Sequence, residues 1–105
     1  MSSKRDPRSF ALLLVEASSL LTQAANYLNG MIDKDNSDNL VVIRASLKGL
    51  SLQISNLSKS GCNMIELQKI INRADKLMNQ IPPIPRVMQN AILAKENLIK
   101  AMAYC

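Results

Sequence analysis

Leu40, Ile43, Leu47, Leu50, Ile54 and Leu57 recur at alternating intervals of three and four residues. At about 100° per residue these side chains stack on one narrow stripe of a helix. A single amphipathic helix cannot bury such a stripe alone, so the rest of the chain must supply partners. Three further periodic segments do. Phe10, Leu13, Leu14, Ala17, Leu20, Leu21, Ala24, Leu28 and Met31 form the predicted inner face of a first helix. Met64, Leu67, Ile70, Ile71, Ala74, Leu77, Met78 and Ile81 form that of a third. Ile84, Val87, Met88, Ala91, Ile92, Leu98, Ile99 and Met102 form that of a fourth, with Lys95 near the middle of the arc and snorkelling past the rim.

The breaks agree with the periodicity. Asp6 before Pro7 is a cap followed by a first-turn proline, which starts helix 1 at Asp6 or Ser9. Gly30 is suited to the position just past its end, although the pattern also allows the helix to run to Ile32. The polar run Asp33 to Asp38 follows, with Ser37 or Asp38 capping a second helix over about Asn39 to Lys59. Ser60-Gly61 ends that helix. Asn63 and Glu66 then read as a capping box, with Cys62 and Leu67 at the staple positions. Helix 3 runs to about Gln80 and is stopped by Ile81-Pro82-Pro83-Ile84-Pro85, because proline removes a donor and restricts its predecessor. Helix 4 runs from near Pro85 to about Tyr104. The short breaks favour antiparallel neighbours. The expected fold is all-α, a four-helix up-and-down antiparallel bundle over residues 9–105, preceded by a flexible basic tail over 1–8.

Composition supports this. Phe10, Tyr27 and Tyr104 are the aromatic residues, so the core must be built of Leu, Ile, Val, Met and Ala, which suits helix-on-helix packing. Glycine is scarce and proline sits in two places, which argues against an all-β fold. Leu20-Leu21-Thr22-Gln23-Ala24-Ala25 and Leu47-Lys48-Gly49-Leu50 loosely resemble the adhesion-type bundles of the vinculin, talin and focal-adhesion-targeting families. That resemblance covers less than half of the chain. It implies a helical bundle and transfers no functional residue.

The chain carries a net charge of +5 without a dense basic run. Arg44, Lys48, Lys69, Arg73 and Lys76 are its candidate basic surface, the basis for a nucleic-acid-associated alternative. That alternative lacks the aromatic residues that stack on single strands. The apolar run from Phe10 to Val15 stops at Glu16, too short for a membrane span or a signal sequence. Cys62 and Cys105 are too few and too far apart in sequence to read as a disulfide framework. They fit a reducing, intracellular setting, cytoplasmic or nuclear.

With no histidine, Ser-His and Cys-His nucleophiles are excluded, and the isolated glycines form no phosphate loop. Asp33, Asp35, Ser37 and Asn39 occupy alternate positions of a calcium-loop pattern. Asp38 then stands where glycine is required and Arg44 where the bidentate glutamate belongs. No enzyme activity, metal or cofactor is expected.

A second set of apolar or small residues points away from the main stripes: Leu12 and Val15 on helix 1, Val41, Ala45, Gly49 and Leu52 on helix 2, and Leu93 on helix 4. Between Ser9 and Ile32 the only charge is Glu16. The expected function is a non-enzymatic protein-interaction module, an adaptor, scaffold subunit or chaperone-like bundle. It would dock an amphipathic partner helix in the groove of helices 1 and 2 through Leu12, Val15, Val41, Ala45, Gly49 and Leu52. A structural homo-oligomer, with the charge-poor helix 1 buried between copies, is the remaining alternative.

Overall fold

The computed structural model describes residues 5–35 and 38–105; the side chains of 33–35 lie outside that description, and with them the calcium-loop pattern and Ser37. The described residues form four helices: α1 (Pro7–Asp35), α2 (Asp38–Ser60), α3 (Met64–Gln80) and α4 (Pro85–Met102). Each packs antiparallel against its sequence neighbour, and α4 closes the bundle against α1. The extents, 52 × 21 × 19 Å, are those of a rod two helices wide in each direction.

The predicted starts and stops form for the reasons given. Asp6 Oδ1 accepts the N–H groups of Arg8 (3.1 Å) and Ser9 (3.3 Å), and Pro7 occupies the first turn of α1. Ser9 Oγ donates to the same carboxylate, and this bond, ahead of the backbone ones, holds the Asp6 carboxyl below its ordinary range. Gly30 ends nothing. It lies inside α1, which continues to Asp35. Gly61 does end α2: its φ of 97° lies where side-chain-bearing residues are strained, and its N–H bonds to Leu57 O. Asn63 caps α3 by accepting the Glu66 N–H at 3.0 Å. The Glu66 carboxylate does not close the box. It accepts instead from Gln53 Nε2 on α2.

All six residues of the α2 stripe are buried, as are Phe10, Leu14, Ala17, Leu21, Ala24 and Leu28 of α1, while Leu13, Leu20 and Met31 are partly covered. The inner face of α4 differs from the expectation. Ile92 and Ile99 are 41% and 48% exposed, and Ala94 and Ala101 take the interior with Val87, Ala91 and Leu98. The helix is rotated by roughly 70° from the arc centred near Lys95. The reason is close packing against α1. Asn90 Nδ2 donates to Leu20 O at 3.2 Å, which sets the register and puts Ala94 level with Ala17. Backbones that approach this closely need small residues between them. Lys95, turned to the α3 side, pairs with Asp75.

The cysteines also correct the expectation. Cys62 and Cys105, 43 residues apart, form a disulfide with a Cα–Cα distance of 5.2 Å. Helix α4 ends in tightened turns, Tyr104 N–H to Ala101 O and Cys105 N–H to Met102 O, which bring Cys105 back to the α2–α3 turn. Cys62 thus has a structural role, but as a covalent partner and not as an apolar staple.

Candidate interaction surfaces

The α1–α2 seam is built from hydroxyls. Ser51, the one buried polar residue among those described, donates from Oγ to Ser18 O at 2.8 Å, and Ser18 Oγ donates back to Ser51 O at 2.9 Å. Thr22 Oγ1 closes the cluster, donating to Ser18 O at 3.0 Å and lying 2.8 Å from Ser51 Oγ. Lower along the seam Arg44 Nη1 donates to Asn29 Oδ1 at 2.6 Å. These bonds fix which residues border the groove.

Leu12, Val15 and Leu52 are each more than half exposed, at 62%, 52% and 63%. Val15 lies one turn from Ser18 and Leu52 follows Ser51, so the Ser18–Ser51 pair places them at neighbouring levels of the two helices. The other expected members do not join this cluster. Val41 is three turns further along α2, beside exposed Val42, and roughly 16 Å from Leu52 along the axis. Ala45 is exposed between them. Gly49 faces the opposite side: a Cβ there would stand 3.5 Å from Arg73 Nη2 of α3. Leu93 borders a second groove, between α1 and α4, with Gln23, Asn26 and Tyr27, where the Arg86 guanidinium lies 5.4 Å from the Tyr27 ring centre.

The basic residues divide between two faces. Arg44 and Lys48 belong to the α1 side of α2, with Arg44 held by Asn29. Lys69, Arg73 and Lys76 share the outer face of α3, where Arg73 Nη1 donates to Gln53 Oε1 at 2.6 Å. They form no single patch with the first two.

Other surface features escaped the sequence pattern. Ile65, at 73%, is the most exposed large apolar side chain among the described residues, and Ile92 and Ile99 join it outside the core. A cleft of about 480 Å³ opens at the disulfide end, lined by Phe10, Tyr104, both cysteines, Arg5 and Lys59 among others. The signal for it was present: in an up-and-down bundle the α2–α3 turn, the start of α1 and the end of α4 share one pole. Among the described residues no helix is long and apolar enough to cross a membrane.

No protein-family model, curated protein or solved structure matches this sequence.

Proposed function

We propose that the protein is a non-enzymatic interaction module that docks an amphipathic helix of a partner protein on the α1–α2 face. The observation that supports this reading is the exposure of Leu12, Val15 and Leu52 on two adjacent helices, with Val15 and Leu52 at neighbouring levels. Isolated exposed apolar residues are ordinary, whereas a cluster beside a groove fits the recurring anchors of a helix-in-groove complex. Arg8 and Glu16, each one turn from Leu12, are the charged residues of α1 beside it. The test is affinity purification from the native source with the wild-type chain and with Leu12→Lys/Leu52→Asp. A partner retained by the wild type and lost by a variant of unchanged melting temperature is the expected result. A partner retained equally by both removes this face from the proposal.

The alternative of nucleic-acid binding draws on Lys69, Arg73 and Lys76 on the outer face of α3. It requires binding to labelled DNA or RNA that weakens steeply with salt and disappears when these residues are reversed to glutamate. Sedimentation over a range of concentrations tests the homo-oligomer alternative. The Cys62–Cys105 disulfide supports a compartment that permits disulfides over cytoplasmic or nuclear placement.

A further inference from the structure

Helix α4 leaves Ile92 and Ile99 outside the core, 41% and 48% exposed. They are seven residues apart, about two turns along one line of the helix. Lys95 and Glu96 lie between them, Lys95 half-buried and paired with Asp75 of α3, Glu96 exposed. The stripe therefore faces the α3–α4 side of the bundle, opposite the α1–α2 face. The α1 flank of α4 is a different line, marked by Asn90, by Arg86 over Tyr27 and by Leu93. Lys100, seven residues after Leu93, belongs to that flank. The order Ile92, Lys95, Glu96, Ile99 has the same spacing read from either end, and its centre exchanges a cation for an anion. An isologous contact requires such a pattern, because a two-fold axis sets one residue of a patch against another of the same patch.

We infer that this stripe is a contact between two copies of the chain, with their α4 helices antiparallel and the two-fold axis passing between Lys95 and Glu96. In that register Ile92 of each protomer meets the partner's Ile99, and Lys95 meets the partner's Glu96. A slip of one turn sets Glu96 against an isoleucine, and a parallel pair sets like charge on like. Asp75 stays paired to Lys95 within its own protomer, and with adjacent Lys76 it brings the local count to two cations and two carboxylates per copy. Lys69 and Arg73 join Lys76 on the outer face of α3, and two such faces repel, which confines the contact to α4. A face one helix wide and about 27 Å long offers less than the roughly 800 Å² per partner of a standard interface, so the dimer is weak and concentration-dependent. It does not depend on what docks at the α1–α2 face.

The test is sedimentation equilibrium of the intact, oxidised chain from about 10 μM to about 1 mM, the range suited to a weak interface. A monomer–dimer equilibrium is expected, with amide shifts on dilution centred on residues 92–99. Glu96→Lys gathers four cations at the two-fold axis and should weaken the dimer by about tenfold or more. Lys95→Glu gathers four carboxylates there and should act likewise. Melting curves check that both fold; Glu96 is exposed, so its variant tests the contact even where loss of the Lys95–Asp75 pair costs stability. Mixed one to one, the two variants should restore a dimer, because each cation then faces a carboxylate. A chain monomeric throughout the range, a dimer unaffected by Glu96→Lys, or a mixture no more associated than its components would each overturn the proposal. So would dilution shifts centred on Leu12, Val15 and Leu52, which would assign self-association to the α1–α2 face. Capture by a monomeric chain of a different protein that needs Ile92 and Ile99 would also overturn it, giving the stripe to that protein.

Discussion

Helices α1 and α3 sit diagonally across the same bundle, and both pack against α2 and α4, yet they are held differently. Helix α1 has 29 residues and lies close to both neighbours along much of its length, while α3 has 17 and meets them over a shorter stretch. Their interior residues explain the difference. Ala17, Ala24 and Ala25 of α1, with Ala91, Ala94 and Ala101 of α4 and the Ser18–Ser51 hydroxyls, let backbones approach. The interior of α3 is Leu67, Ile70, Ile71 and Leu77, with Ala74 the one small residue, so it is held off by its own side chains. It also lies wholly inside the loop closed by Cys62 and Cys105. One helix is thus retained by close contact, and the other by apolar side chains and a covalent loop around it.

Truncating the central layer should have the largest effect. Leu47→Ala is expected to cost about 2–5 kcal/mol, with Ile71→Ala toward the lower end because its side chain is less completely enclosed. Thermal and denaturant melts measure both, and a larger loss at Ile71 would reverse the ranking of the two regions. Opening the disulfide with Cys62→Ser/Cys105→Ser should cost about 4 kcal/mol, the chain-entropy value for a loop of this length. Hydrogen exchange should then accelerate in α3 before α1; uniform acceleration would deny α3 its dependence on the loop. Ala17→Leu inserts bulk at a fully buried position of α1 and should cost about 1–3 kcal/mol. A neutral melt would show that the seam has room.

Gly49→Ala should stabilise by up to about 1 kcal/mol, because the glycine is helical and a Cβ meets only Arg73 Nη2 at van der Waals distance. A loss of stability there would mean that α3 lies closer to α2 than its bulky interior allows. The smallest effect concerns the start of α1. The Asp6 carboxyl is depressed in the folded state by its bonds from Ser9 and Arg8, so its contribution is present above the ordinary carboxylate range and is lost as pH falls through the lowered value. Asp6→Asn should therefore flatten the acid limb of stability slightly, measured as melting temperature against pH.

The pattern of large apolar residues made most of this architecture readable. In α2 every position of the stripe is interior, and the Asp6, Asn63 and Gly61 signals act where the residue types require. Helix α4 was misread because isoleucine outweighs alanine on any hydrophobicity scale, while close backbone approach to α1 selects for size. Ala94 and Ala101 gained the interior on that ground, and Ile92 and Ile99 lost it. The disulfide was hidden by sequence distance, which topology cancels by returning α4 to the pole where α2 ends. Leu12, Val15 and Leu52 were legible as leftover apolar positions, but their separation from Val41 and Gly49 depends on helix register and on the side from which α3 packs.

The hydrogen bond from the Asp6 N–H to Tyr104 O, 3.3 Å long, has a practical side. It holds the two ends of the bundle together, so anything fused ahead of Asp6 or behind Cys105 emerges at the same pole. In a rod 52 Å long the far tip belongs to the end of α1 and the start of α2, which run on past the shorter α3 and α4 and past the Pro82–Pro85 turn that joins them. An affinity handle at either terminus would crowd the disulfide pole while leaving the opposite tip clear. Immobilisation that leaves the disulfide pole open therefore belongs at the proline turn, away from both chain ends.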